Sequence, residues 1–182
     1  RSAPTGRIAM EQLATYGALI NPLVRWSLEL DGDEVSLHHR APRPGGVGRH
    51  GNFFTVTRIL QIAREMMGDD VTPVRAWFAH DEKEAPPEIS RFLSTTQVAF
   101  GRASNGLSFS QEMLERVPTG ADPELNRALE LHGQAVLAQC GDVDDAYERA
   151  RGAVIELLPK GDATLARAAK KIAPRSQVSS AA

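Results

Sequence analysis

The residues able to do chemistry are few, and their spacing limits what they can do. The histidines are His38, His39, His50, His80 and His132. No two of them stand at the i, i+4 spacing that a helical metal pair uses. His38 and His39 are neighbours in a strand-like run, so their rings point to opposite faces. His80 is followed by Asp81 and Glu82, which makes a proton relay conceivable. No nucleophile or second base accompanies it, and a solvated strand end accounts for the pattern. Cys140 lies at the end of a helical run, where the helix dipole raises a thiol pKa and works against reactivity. As the one cysteine it excludes an intrachain disulfide and a multi-cysteine zinc site. Asp142, Asp144 and Asp145 suggest a cation site, but carboxylates at a helix start also complement the dipole. Phe53-Phe54 and Met66-Met67 suit either a core or an apolar ligand site. The sequence has no Gly-rich phosphate loop, no His-Glu-x-x-His and no nucleophile elbow. These patterns predict no enzyme, no catalytic residues, no metal site and no cofactor; ligand-binding residues are not marked.

The C-terminal segment carries a different kind of chemistry. From Lys160 to Ala182 there are five basic residues and one acid, about +4, against a whole-chain charge of -2. An acidic body thus bears a basic tail. Thr164 to Val178 fits the start of a helix-turn-helix: a short first helix with apolar residues at 165, 168/169 and 172, then a turn, then polar residues able to reach bases. Small Ala168 and Ala169 permit close helix approach. Lys170 and Lys171 suit phosphate, and Arg175, Ser176 and Gln177 suit base or phosphate contact.

Elements that would position these residues follow from periodicity. Thr5 caps a helix with Ala9, Leu13, Tyr16 and Ile20 on one face, ending at Asn21-Pro22. Val24 to Leu30 and Val35-Leu37 alternate as a hairpin around Asp31-Gly32-Asp33. Residues 41–51 read as a Gly/Pro loop. Asn52 caps a helix carrying Phe53, Val56, Leu60, Ala63 and Met67 and stopping at Gly68. Val74 to His80 reads as a buried strand, and Pro86-Pro87 opens a short helix ending near Leu93. Residues 97–101 and 107–110 read as a hairpin joined through Ser104-Asn105-Gly106. After Pro118 the pattern is helical only. Asp122-Pro123 starts a helix with Leu125, Leu129, His132 and Val136 on one face. Another runs from Asp142 with Val143, Tyr147, Ala150, Val154 and Leu157 or Leu158 on one face, stopped by Pro159 and Gly161. The fold class expected is α+β: a small, mainly antiparallel sheet with flanking helices, a helical linker and a partial helix-turn-helix.

Several of these stretches resemble the sensor called the arabinose-binding domain in AraC/XylS-type transcription regulators. Ser2-Ala3-Pro4-Thr5, Tyr16 with Asn21-Pro22, and the strand ending at His80 are similar to that family. Val98-Ala99-Phe100-Gly101 with Asn105-Gly106-Leu107-Ser108-Phe109 resembles its Val-x-Phe-Gly…Asn-x-Leu-x-Phe pattern. Leu157-Leu158-Pro159-Lys160-Gly161 resembles its linker to the DNA-binding domain. Leu93-Ser94-Thr95-Thr96-Gln97 departs from the family's Phe-Gly-Cys-Pro, and the turn before Pro174-Arg175-Ser176 is short. The resemblance implies a ligand-responsive DNA-binding regulator, with an unknown small-molecule effector, DNA bound through the full-length parent, a homodimer and a cytoplasmic location. The absence of an initiator Met gives the expectation that the chain begins part-way through its parent. The expected divisions are 1–120 (sensor, its N-terminal part absent), 121–161 (connector and dimer helices) and 162–182 (start of the helix-turn-helix). The alternative is a stand-alone sensor or protein-interaction module without DNA binding. No stretch is long and apolar enough for a membrane partner.

Overall fold

The computed structural model describes residues 2–139 and 143–172. The chain divides into two compact units, the boundary falling after Leu137. Cys140, Asp142, Arg175, Ser176 and Gln177 lie outside the described residues.

In the first unit the chain runs α1 (Gly6–Ile20), β1 (Arg25–Asp31), β2 (Glu34–Arg40), α2 (Arg49–Met67), β3 (Arg75–Trp77), α3 (Pro87–Leu93), β4 (Val98–Ala99), β5 (Asn105–Ser110), α4 (Gln111–Leu114) and α5 (Pro123–Gln139). The five strands form one sheet in the order β1-β2-β5-β3-β4. Pairing is antiparallel except between β3 and β4, which are parallel and joined through α3. This is an α+β domain with a mainly antiparallel sheet, as the alternation of residues 24–37 leads one to expect.

The hairpin of β1 and β2 turns through Gly32-Asp33, with Gly32 at φ +57. Only glycine takes that first central position without steric cost. One sheet face is apolar. Val35, Leu37, Ala76, Phe78, Leu107 and Phe109 join Met10, Phe53, Val56 and Leu60 in the core, so α1 and α2 lie on that side. Thr5 caps α1, its Oγ1 accepting from Ile8 N at 3.3 Å. Asp122 caps α5 in the same way, through Leu125 N at 2.9 Å.

Five sequence expectations change. Helix α2 starts at Arg49 behind Gly48, so Asn52 is not its cap but a fully buried side chain in its first turns. The run from Val74 to His80 is a strand only at 75–77. Residues 97–110 are not a hairpin: β4 pairs with β3, while Asn105-Gly106 opens β5 instead of turning. The reason is packing. A Cβ on Gly106 would stand 2.3 Å from both the Leu37 carbonyl oxygen and Trp77 Cζ2, so this glycine serves close approach. On α1 the buried positions are Gly6, Met10 and Gly17, and Ile20 is exposed. Gly17 receives the Trp26 ring where a side chain would clash.

The fifth change concerns α5. Its Leu125, Leu129 and His132 are exposed. The docked face is Asn126, Glu130 and Gly133, against Gln12 and Tyr16 of α1. Gln12 Nε2 donates to Asn126 Oδ1 at 2.9 Å and to Glu130 Oε1 at 3.0 Å. Polar pairing, not the apolar stripe, seats this helix.

The second unit holds α6 (Val143–Leu157), a 3-10 turn (Leu158–Lys160) and α7 (Leu165–Ile172). Helices α6 and α7 pack together, burying Ala153, Leu157 and Ala168. Val154 and Leu158, read as part of the apolar face, are exposed. Gly161, at φ +67, ends the turn, and Thr164 Oγ1 caps α7 through Arg167 N.

Candidate functional site

Two polar constructions stand out in the first unit, one on each face of the sheet. The inner one is a buried amide node. Asn105 Oδ1 accepts from Ala79 N at 2.9 Å. Its Nδ2 donates to Asn52 Oδ1 at 2.9 Å and lies 3.3 Å from His39 Nδ1. Asn52 Nδ2 in turn donates to the Gly45 carbonyl at 2.8 Å and lies 3.0 Å from His80 Nδ1. Asn52 Oδ1 also accepts from Val47 N at 2.9 Å. Both amides are 0% exposed, and the four amide hydrogens have four acceptors. For His39 and His80 to accept here, each ring carries its proton on Nε2.

The node fixes the 45–47 loop against α2 and the sheet. Phe53, Phe78 and Phe100 surround His80 with ring centroids 4.8, 5.6 and 5.4 Å away. His80 Nε2 lies 3.4 Å from Glu82 Oε2 but off the line of a hydrogen bond, and is buried. His80 is therefore not the solvated strand end suggested by its neighbours: it is 8% exposed. Burial holds the His39 pKa below the ordinary imidazole range. The node suits a structural joint.

The outer construction is open to solvent. Alternation sends Ser36, His38 and Arg40 of β2, Arg75 and Trp77 of β3, and Ser108 of β5 to the face opposite the core. Except for Ser108, these residues, with Glu29, Asp31, Thr96, Gln97, Val98, Arg102 and Ser104, line a groove of about 740 Å³. Trp77 lies across Gly106, and its Nε1 donates to Ser104 Oγ at 3.1 Å. His38 Nδ1 is 3.0 Å from the same oxygen, and its ring centroid is 5.0 Å from that of Trp77. His38 Nε2 approaches Glu29 Oε2 at 3.2 Å without hydrogen-bond alignment. Burial lowers the His38 pKa and Arg40 adds to the effect, while Glu29 opposes it. Arg75 pairs with Glu34 at 2.8 Å. The Glu34 carboxyl is held below its usual range, first by its hydrogen bond with Ser108 and then by Arg75. An indole, an imidazole, hydroxyls and guanidinium groups on one concave surface can stack, hydrogen-bond and pair with a small molecule.

The DNA-contact candidates fall elsewhere. Lys170 and Lys171 are exposed on α7, and Lys171 pairs with Glu156 of α6. Arg175, Ser176 and Gln177 are not described. Phe53 is core, whereas Phe54 is exposed. The groove residues escaped the sequence reading. Their signal is the second period of the strands: Ser36-x-His38-x-Arg40 and Arg75-x-Trp77 form a polar face that the apolar count ignores. Among the described residues no three His, Cys, Asp or Glu side chains gather as a metal site, and no helix is long and apolar enough to cross a membrane.

Comparison with known proteins gives the family. No curated protein sequence matches. Among solved structures, the transcriptional regulator CdpR from Pseudomonas aeruginosa is similar in fold, with a TM-score of 0.54 and 17% identity over 66% of this chain. The chain spans 39% of that protein's length. Residues 1–117 match the model described as the arabinose-binding domain of AraC transcription regulators, N-terminal. That family is a regulator's sensing domain and not an enzyme family. The chain described here, whose first unit carries α1 and α2 on one sheet face and a polar groove on the other, belongs to the arabinose-binding-domain family of AraC transcription regulators.

Proposed function

We propose that this chain senses a small-molecule effector in the groove between Trp77, His38, Arg40 and Arg102, on behalf of a cytoplasmic DNA-binding regulator. The single supporting observation is the groove itself: a concave, polar sheet face left uncovered by any helix of the first unit, with an aromatic floor. Effector binding shifts the equilibrium between conformations or assembly states. The helix of residues 143–157 and the Pro159–Gly161 turn carry that bias toward the DNA-reading part. Residues 1–120 are the sensor, 121–161 the connector and dimer-forming helices, and 162–182 the start of a helix-turn-helix. Within the full-length parent, Lys170 and Lys171 lie near phosphate, and Arg175, Ser176 and Gln177 begin a recognition helix. A homodimer is formed through one exposed apolar stripe, that of residues 142–158 being favoured by exposed Val154 and Leu158.

The test is a reporter driven by the parent's operator and screened with small metabolites. Ala103, exposed on the groove wall, is replaced by Trp to fill it. Ala103→Trp removes the response to whichever compound the parent answers, with an unchanged unfolding midpoint. A full response in that variant refutes the groove as the effector site.

A further inference from the structure

We infer that the groove selects a small organic anion: a carboxylate carried on a flat or apolar body. This rests on reading the groove as the effector site and goes beyond it in naming the chemistry. Acids and bases of the groove are unequally paired. Its acids are Glu29 and Asp31, with Glu34 beside them; its cations are Arg40, Arg75 and Arg102. Arg75 is bound to Glu34. Glu29 is drawn to His38. The guanidinium groups of Arg40 and Arg102 make no hydrogen bond or ion pair among the described residues.

These two unpaired guanidinium groups share one end of the groove. His39 is in register with Asn105, so the next residue, Arg40, stands beside Ser104. Arg102 is two residues before Ser104, whose hydroxyl holds both Trp77 and His38. The acids lie along the strands from this end. Arg40 faces Arg25 across the hairpin, while Asp31 faces Glu34. Six residues of strand place that acidic pair about 20 Å away, whereas the Glu29 carboxylate reaches back to His38 Nε2, 3.2 Å from it. That pair lies beyond the roughly 8 Å over which exposed charges feel each other in physiological salt; the nearer carboxylates are Glu29, held at His38, and Asp81, against Gly101. Two guanidinium groups that no acid has paired set the local potential at this end. A concave wall focuses that potential on whatever enters.

What lies next to it is apolar and flat. Trp77 rests on Gly106, where a Cβ would meet its ring at 2.3 Å, so the indole lies on the sheet as a shelf. Val98 and Ala99 continue the wall. Guanidinium groups bind carboxylates through paired N–H donors. An indole shelf takes a planar or hydrocarbon body. A cationic or purely neutral ligand would leave both arginines facing it unpaired.

The experiment titrates the whole chain calorimetrically with matched pairs: benzoate and benzamide, indole-3-acetate and indole-3-acetamide, hexanoate and hexanamide. At least one carboxylate binds tenfold or more tightly than its amide, and the difference shrinks with added salt. Arg40→Gln with Arg102→Gln brings that carboxylate down to its amide's level, with circular dichroism and unfolding midpoint unchanged. Trp77→Ala weakens acid and amide alike. Acids binding no better than amides, or a double variant binding as well as the parent chain, overturns the inference. An amide that binds through Trp77 with no carboxylate advantage sinks the anion and leaves the groove standing. No binding by any of the six probes sinks both.

Discussion

Replacing Asn52 by Ala tests whether the amide node holds the first unit together. The side chain meets Val47 N, the Gly45 carbonyl, His80 Nδ1 and Asn105 Nδ2. The loop groups of Gly45 and Val47 are near the surface, so water can replace that partner at small cost. Asn105 is 0% exposed and His80 8%, so their lost bonds are not recovered. Leaving a buried polar group unsatisfied costs about 1–3 kcal/mol, which makes Asn52→Ala worth roughly 2–5 kcal/mol. That is large beside a typical stability of about 5–15 kcal/mol. Asn105→Ala strands Ala79 N, His39 and Asn52 and costs a similar amount. Because the two amides share a bond, the double variant loses less than the singles together, by roughly 1–3 kcal/mol. Urea unfolding followed by circular dichroism gives all four stabilities. Singles within about 0.5 kcal/mol of the parent chain, or strict additivity, would refute the reasoning.

Further outcomes are expected. Gly106→Ala forces the Leu37 carbonyl or Trp77 to move and lowers stability by about 1–3 kcal/mol, read by denaturant melt and by Trp77 fluorescence. The depressed pKa values of His38 and His39 mean that the unfolded chain takes up protons first. Their contribution is complete above the unfolded value near 6.5, and is lost as pH falls below it toward the folded values. Melts at pH 7.5 and 5.5 show the loss, and His39→Gln flattens it. Val154→Glu on α6 abolishes self-association without loss of helicity; a sedimentation profile identical to that of the parent chain contradicts the dimer face. In the full-length protein, Arg175→Ala weakens operator binding by about 1–3 kcal/mol. Lys170→Ala there weakens all DNA alike, with a salt slope shallower by about 1.

Much of the fold was legible because its signals are local. Thr5, Asp122 and Gly32 act within their own turns, and the alternation from Val24 to Leu37 needs only two adjacent strands. The misreadings come from residues whose role is set by distant partners. Asn105-Gly106 has the composition of a turn, yet Asn105 is recruited by Asn52 and His39, and Gly106 by the Trp77 ring. Asn52 has the composition of a cap and is spent on the node. The α5 stripe misled because apolar periodicity marks the docked face only when the partner is apolar. Here the partner is Gln12, which prefers Asn126 and Glu130. The groove was invisible for a related reason: a polar face at period two has no contrast with solvent-facing strand positions.

The seating of α1 sets a clock on the chain's birth. Its start is held by bonds from Gly6 N to the Arg116 carbonyl, and the preceding Ser2 carbonyl accepts from Asp122 N. Gln12 waits for Asn126, 114 residues downstream. At ribosomal speeds of about 5–20 residues per second, roughly 6 to 23 seconds separate the two. During that interval Met10 and Leu13, which will face the core, have no finished surface to cover them. A ribosome stalled before the Asn126 codon therefore leaves the helix without its polar partner.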